Sequence, residues 1–188
     1  MSTQERLVEA TRELLWERGY VGTSPRAIQE RAGAGQGSMY HHFSGKPELA
    51  RAAITRTCEE MRETAERTLD GEGTAFERIS AYLLREREVL RGCPVGRLTM
   101  DPDVLAADAL REPVAATLAK VRARLAELVQ EGVRRGELTT TAEPGEVAAA
   151  VLAVVQGGYV LARAEGSAEG FDAAVAGLRA LLAPRTSA

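Results

Sequence analysis

Two short segments joined at a glycine constrain the fold of this chain more than any other feature. Ser24 and Pro25 open the first segment, because a serine hydroxyl caps a helix and the missing proline N–H costs nothing at the first helical position. Gly33 supplies a left-handed residue on which this helix ends. The polar segment Gln36–His42 follows after a few residues. Two short helices in this arrangement predict a helix-turn-helix whose second helix enters a DNA groove.

The net charge of the chain excludes a strongly basic protein that would bind nucleic acid through its whole surface. The net charge is −3, and residues 1–50 hold six Lys and Arg against six Glu. A sequence-specific DNA reader needs positive charge only where phosphates lie. We expect Arg26, Arg31 and Lys46 to supply it. Affinity for DNA should therefore fall with added salt, but with a modest slope because few phosphates are neutralised.

Composition favours a helical protein of the cytoplasm. The chain is 45% hydrophobic but only 4% aromatic, so small aliphatic side chains fill the core. The first residues are polar, and Cys58 and Cys93 form no Cys-x-x-Cys pair, which indicates a reducing compartment. The apolar stretch Val147–Ala162 is shorter than the ~20 residues of a membrane span and contains Gln156. We expect a buried helix there and no membrane contact.

Apolar residues recur at three- and four-residue steps along the chain, and no strand pattern or repeat interrupts them. In the first helix, Leu7, Ala10, Leu14 and Leu15 share one face. This pattern predicts an all-α fold of about nine helices. Beyond the helix-turn-helix, the predicted helices span about 46–69, 75–92, a short turn from Pro94, 113–136, 144–163 and 171–182.

Two sequence motifs in the first fifty residues are specific enough to indicate a protein family. Glu17-Arg18-Gly19-Tyr20 and Tyr40-His41-His42-Phe43, followed by Lys46, resemble the DNA-binding domain of TetR-family transcriptional regulators, and the match runs from about residue 6 to residue 54. The resemblance implies a three-helix DNA-binding domain at 1–46. It also implies a helical ligand-binding and dimerisation domain at 47–188, a double-stranded palindromic operator and, by the habit of the family, repression.

Side-chain chemistry suggests separate roles within the DNA-binding segment. A Gln36 amide can pair with adenine, Gly37 allows close backbone approach, and Arg26 can reach a guanine. The resemblance places phosphate contacts at Ser38, Tyr40 and Lys46. Thr23, Ser24 and His41 lie in the same segment and complete the predicted DNA-binding set. Met39 and Phe43 are expected in the core.

The second half of the chain is expected to dimerise. The stretch Val147–Gly158 is apolar on every face and rich in small residues, so a monomer would hardly cover it, and the resemblance places the last two helices in a four-helix interface. We expect an isologous homodimer; the alternative is that this helix is the centre of a monomeric bundle. The predicted interface residues are Val151, Val154, Val155, Gly158, Phe171, Val175, Leu178 and Leu182.

The resemblance also implies a mostly apolar pocket for a small-molecule effector of unknown identity. Gly92-Cys93-Pro94 resembles a subgroup of the family that begins its sixth helix in this way. The candidate pocket residues are Tyr82, Glu86, Cys93, Arg97 and Met100. For Tyr82 and Arg97 the alternatives are a core packer and a solvated or ion-paired side chain.

Two other functions remain open at this point. Cys93 follows Gly92 at the expected start of a helix, which would favour a thiolate and a thiol-based redox or electrophile sensor; an inert buried cysteine is the alternative. A small α-helical enzyme is the more remote possibility, since no catalytic motif is present. Adjacent helical residues point in different directions, so His41 and His42 do not predict a metal site. No cofactor is expected.

Overall fold

The computed structural model describes residues 1–184, and every regular element within them is a helix. This confirms the all-α prediction, with ten helices where about nine were expected. The helices are α1 (Thr3–Arg18), α2 (Pro25–Ala32), α3 (Gln36–His42), α4 (Lys46–Leu69), α5 (Ala75–Leu84), α6 (Pro94–Leu98), α7 (Pro102–Ala106), α8 (Asp108–Arg134), α9 (Pro144–Glu165) and α10 (Glu169–Leu182).

Local chemistry explains where several helices begin. Ser2 and Glu5 form a reciprocal capping box at the start of α1, and Thr74 and Glu77 form another at the start of α5. Each box satisfies backbone N–H groups that have no partner in the first turn. The hydrogen bonds from Ser2 and from Thr74 lower the pKa values of Glu5 and Glu77.

The extra helix is α7, which lies where the sequence predicted only a break. Asp101 begins it by accepting hydrogen bonds from the backbone N–H groups of Asp103 and Val104 at 3.2 and 3.4 Å. Pro102 occupies the first helical position, where proline is well tolerated. The same residues that suggested a break therefore start a short helix.

Two predicted helix boundaries are wrong. α8 begins at Asp108 and contains Pro113 in its interior, because Leu110 continues the buried stripe of Val114 and its burial outweighs the bond that proline removes. α5 ends at Leu84 rather than near Gly92. The Arg87 guanidinium donates to the backbone oxygens of residues 82, 83 and 85 and satisfies the end of that helix.

The described chain divides into two compact units. One comprises residues 1–61 and 93–117, and the other comprises residues 62–92 and those from 118 onward. The predicted boundary after residue 46 does not coincide with this division, because α6 and α7 belong to the first unit. α6 packs on α1, and Asp101 accepts hydrogen bonds from the backbone of Tyr20 and Val21.

The first unit has its own core. The predicted α1 face of Leu7, Ala10, Leu14 and Leu15 is buried, and α1 packs against both α2 and α3. Met39 and Phe43 are buried as well, which confirms them as core residues. The short α3 is therefore fixed by apolar contacts on one side, which leaves its other side outward.

In the second unit α9 packs along α10. The Phe171 ring lies 5.2 Å from the Tyr159 ring between centroids. Gly158 makes this approach possible, since a Cβ there would lie 2.7 Å from Cδ2 of Phe171. By length and composition α9 is apolar enough to cross a membrane, with a mean hydropathy of 1.6, yet only 39% of that window is buried. Within one chain, the helix expected to be buried is thus buried on one side only.

Candidate nucleic-acid interface

The turn between α2 and α3 has the predicted chemistry. The Ser24 hydroxyl accepts a hydrogen bond from the backbone N–H of Ala27 at 3.1 Å and so caps α2. Gly33 ends α2 at φ 58° and ψ 41°, a left-handed conformation that glycine adopts without the steric cost of a Cβ. Gly35 then precedes α3. The sequence located this turn to the residue.

α3 presents one continuous polar face. Gln36, Gly37, Tyr40 and His41 are all exposed, and the pairs 36/40 and 37/41 are each four residues apart, so they follow one another along one side of the helix. Ser38 is half-buried beside them. A Cβ at Gly37 would meet nothing within 4 Å. This side of α3 has the side chains and the open backbone that a groove-reading helix requires.

Thr23 does not belong to the interface through its side chain, contrary to the prediction. It is 1% exposed, and its hydroxyl donates to the backbone oxygen of Gly19 at 2.6 Å. Its backbone N–H donates to the oxygen of Tyr20 at 3.1 Å. Both donors stabilise the turn that follows α1, so neither remains for a phosphate.

Two of the three cations predicted to meet phosphates have glutamate partners. Arg26 is exposed on α2 and lies 2.8 Å from a Glu30 oxygen, and Arg31 lies 2.8 Å from Glu17. These hydrogen bonds raise the pKa values of Arg26 and Arg31. Because both pairs are exposed, they contribute little to stability. A phosphate can therefore replace the glutamate at small cost.

Lys46 has a different environment. It is the first residue of α4 and is half-buried, with Nζ 3.9 Å from the centroid of the Tyr20 ring. Burial lowers the pKa of the ammonium, while the carboxylates of Asp101 and Asp103 act in the opposite direction. An ammonium over an aromatic face is held by the ring quadrupole. Tyr20 and Asp101 were not among the predicted site residues.

The residues predicted to line the effector pocket fall into two groups by exposure. Tyr82 and Cys93 are buried, and Arg97 is half-buried. Glu86 is exposed, and Met100 is 80% exposed. Cys93 Sγ accepts a hydrogen bond from the backbone N–H of Gly96 at 3.1 Å and caps α6. The pocket therefore stays a prediction.

Seven of the eight predicted interface residues are buried by the chain itself, so the predicted face of α9 and α10 is wrong. They lie where α9 packs against α10, and α10 also packs against α5; of the eight residues, Val154 alone is partly exposed. The seven buried residues are Val151, Val155, Gly158, Phe171, Val175, Leu178 and Leu182.

The opposite sides of these two helices are apolar and exposed. We call them the outward stripe, which consists of Ala150, Ala153, Gly157 and Leu161 on α9 and Ala173, Gly177 and Leu181 on α10. Val154 borders the stripe on α9, where its spacing places it next to Ala150 and Ala153. Steps of three and four residues keep the α9 members on one side of the helix.

Comparison with known protein families covers most of the chain. The family model described as "Bacterial regulatory proteins, tetR family" matches residues 7–53, which include α2 and α3. The model described as "Tetracyclin repressor-like, C-terminal domain" matches residues 73–178, which is more than half of the chain.

Individual proteins show the same similarity. An uncharacterised HTH-type transcriptional regulator in the lacX 3' region of Lactococcus lactis is 26% identical over 85% of this chain and 83% of its own. A TetR transcriptional regulator from Chloroflexus aurantiacus is 29% identical, with a TM-score of 0.83 over 95% and 92% of the two chains. The regulator CifR, solved with 26-base-pair operator DNA, shares the fold with a TM-score of 0.79, at 23% identity over 95% of each chain.

Proposed function

Because the chain belongs to the TetR family of transcriptional regulators, and is thus a sequence-specific DNA-binding protein, we propose that it is a repressor released from its operator by a small-molecule effector. The operator is a roughly palindromic duplex, and two copies of the chain bind it. No catalytic activity and no cofactor enter the proposal, and the protein works in the cytoplasm, where its DNA lies.

The observation that supports DNA reading most directly is the outward face of α3. Gln36 and Gly37 lie at the start of the helix, where recognition helices contact base edges. In the major groove, the Gln36 amide can donate to N7 of adenine and accept from its N6 amino group. Tyr40 and Lys46 supply a hydroxyl and an ammonium suited to phosphates, which set register and affinity rather than sequence.

The outward stripe supports a homodimer. Alanine and glycine let helix backbones approach closely, and an apolar face that the chain does not cover calls for a partner. A second copy supplies an identical face, so α9 and α10 of two copies form an isologous four-helix contact. The resulting two-fold axis pairs the two α3 helices with the two halves of a palindromic site.

Release by an effector follows from linkage. A ligand shifts a regulator from its DNA-binding state only if it binds the two states with different affinity. Of the residues predicted to contact the effector, Tyr82 and Cys93 are buried and Arg97 is half-buried.

Thiol-based sensing through Cys93 is not favoured as the primary function. Cys93 is 8% exposed as a residue, and its Sγ already caps α6. A reactive cysteine is typically accessible and lies beside basic groups. Cys58, the other cysteine, is also buried. The burial of Cys93 and its hydrogen bond at the start of α6 are both explained by a structural cysteine that fills space and caps a helix, without a redox step.

Selection of bound fragments from random DNA tests the proposal. The full chain should enrich an inverted repeat, and its affinity for that fragment should fall with salt at a modest slope, since few phosphates are neutralised. Small molecules are then screened for release of the same fragment. Absence of any enriched sequence would overturn the DNA-reading function; enrichment without a releasing compound would overturn only the effector part.

A further inference from the structure

Asp101 is a buried carboxylate whose two oxygens bond to two different segments of the chain. It is 7% exposed. Oδ1 accepts from the N–H groups of Asp103 and Val104 and caps α7. Oδ2 accepts from the N–H groups of Tyr20 and Val21 at 2.6 and 3.0 Å, about eighty residues earlier in the chain. The carboxylate therefore ties the turn after α1 to the start of α7.

The turn after α1 is shaped around this carboxylate. Gly19 has φ 75°, and a Cβ there would lie 2.9 Å from Oδ2 of Asp101, so only glycine provides both the backbone conformation and the space. The Thr23 hydroxyl closes the turn on the Gly19 oxygen. The next residue, Ser24, caps α2. The position of α2 relative to α1 thus depends on a turn whose N–H groups are bonded to Asp101.

The same turn positions a residue proposed to contact DNA. Its Tyr20 ring lies beneath Lys46, with Nζ 3.9 Å from the ring centroid. The Asp101 and Asp103 carboxylates also act on the Lys46 ammonium. Asp101 therefore acts on Lys46 in two ways, by fixing the Tyr20 backbone and by its charge.

We propose that Asp101 is a positioning residue for DNA binding, which holds the α1–α2 turn and, through Tyr20, the phosphate-contacting Lys46. The inference rests on the proposed DNA-binding function and adds to it a residue outside the helix-turn-helix. The role belongs to the acceptor oxygen of Asp101 rather than to its negative charge. Charge alone would have the opposite effect, because a carboxylate near phosphates weakens their binding.

Asp101→Asn separates these two contributions. Asparagine still caps a helix well, but if its oxygen caps α7, its NH₂ group faces the N–H groups of Tyr20 and Val21, where an acceptor is needed. A buried donor without a partner is costly. We expect the Kd for the selected operator fragment to rise about tenfold, although the substitution removes a negative charge.

Asp103→Asn is the matched control. It removes the same charge two residues away from a side chain that is exposed and also acts electrostatically on Lys46. Operator affinity of this variant should stay equal or increase. Equal changes in Kd for the two variants, in either direction, would reduce Asp101 to a charge effect and overturn the proposal, as would a folded Asp101→Asn protein that binds like the wild type.

A double-mutant cycle tests the route through Lys46. Lys46→Ala should weaken binding less in the Asp101→Asn background than in the wild type, because the contact is already misplaced. The salt slope of Asp101→Asn should likewise fall by about one for each half-site. Purely additive losses with an unchanged slope would contradict this route.

Separate measurements distinguish a folding defect in Asp101→Asn from a loss of DNA binding. Circular dichroism and the thermal midpoint show whether Asp101→Asn is folded. If Asp101→Asn is not folded, Tyr20→Leu tests the same route, since this variant keeps the two backbone donors and removes the aromatic face. Tyr20→Leu should also lower the salt slope, and an unchanged slope would overturn the proposal. If the wild-type chain selects no DNA, the proposed function fails. If the wild type binds and Asp101→Asn binds equally well, only the role of Asp101 fails.

Discussion

At the scale of residues, Gln36 and Lys46 begin consecutive helices but differ in what they offer to DNA. Gln36 is exposed at the start of α3 and carries a neutral amide with a donor and an acceptor. Lys46 is half-buried over Tyr20 and offers a point charge. The first can distinguish bases, whereas the second responds to any phosphate.

Gln36→Ala should therefore relax base preference at one position of each half-site, by about 1–3 kcal/mol of discrimination. Lys46→Ala should weaken all sequences alike and reduce the salt slope by about one for each half-site. Binding titrations on the selected operator and on single-base variants, at two or more salt concentrations, measure both effects. An equal loss of specificity in the two variants would refute this division of roles.

At the scale of elements, α9 carries two adjacent glycines with opposite surroundings. Gly158 faces the Phe171 ring of α10, where a Cβ would lie 2.7 Å from Cδ2, whereas a Cβ at Gly157 would meet nothing within 4 Å. Alanine substitutions at these two positions separate the effect of packing from that of helix propensity, since both positions lie in the interior of the same helix.

Gly158→Ala should lower the free energy of unfolding by about 1–2 kcal/mol, because the added methyl overpacks a rigid ring. Gly157→Ala is the control, and in the background of Ala153→Glu, a substitution in the outward stripe that should yield monomers, it should raise the free energy of unfolding by about 0.5–1 kcal/mol through helix propensity alone. Urea unfolding in this monomeric background measures both variants without the contribution of the proposed dimer contact. Stabilisation by both alanines would mean that α9 and α10 pack less closely at Phe171.

At the scale of the whole molecule, the proposed dimer brings together two DNA-binding segments, each of which has no net charge. With six cations and six glutamates in residues 1–50, one copy has little general attraction for DNA. Two copies joined through the outward stripe bind two half-sites at once, so the second contact forms at high effective concentration. Affinity thus depends on the dimer as much as on α3.

Ala153→Glu places a charge in the middle of the outward stripe and should yield monomers that have lost most operator affinity. Ala116→Glu makes the same change at an exposed alanine of α8 and should leave the dimer intact. Sedimentation at micromolar concentration reports the mass. A wild-type chain that sediments as a monomer would contradict the homodimer and the two-fold mode of DNA binding.

Much of the fold and of the candidate site could be predicted from local chemistry. A hydroxyl, a proline and a glycine at fixed spacing defined α2 and the turn after it, and the steps of three and four residues from Leu7 through Ala10 to Leu14 placed the buried face of α1. Boundaries failed where burial or the hydrogen bonds of a particular side chain decided them. α8 starts before Pro113 because Leu110 is buried, and α5 stops early where Arg87 satisfies its carbonyls.

The sequence by itself determined the helical class, the short helix α3 and its exposed polar residues, because capping, periodicity and turn chemistry act between residues near in the chain. Only the tertiary structure decided which side of α9 faces α10 and that the Thr23 side chain stabilises a turn. It also revealed Asp101 beside Tyr20. α9 is apolar on every side, so its sequence leaves the choice of face to packing. A carboxylate that accepts from backbone groups about eighty residues away has no local pattern, because backbone donors are the same at every residue.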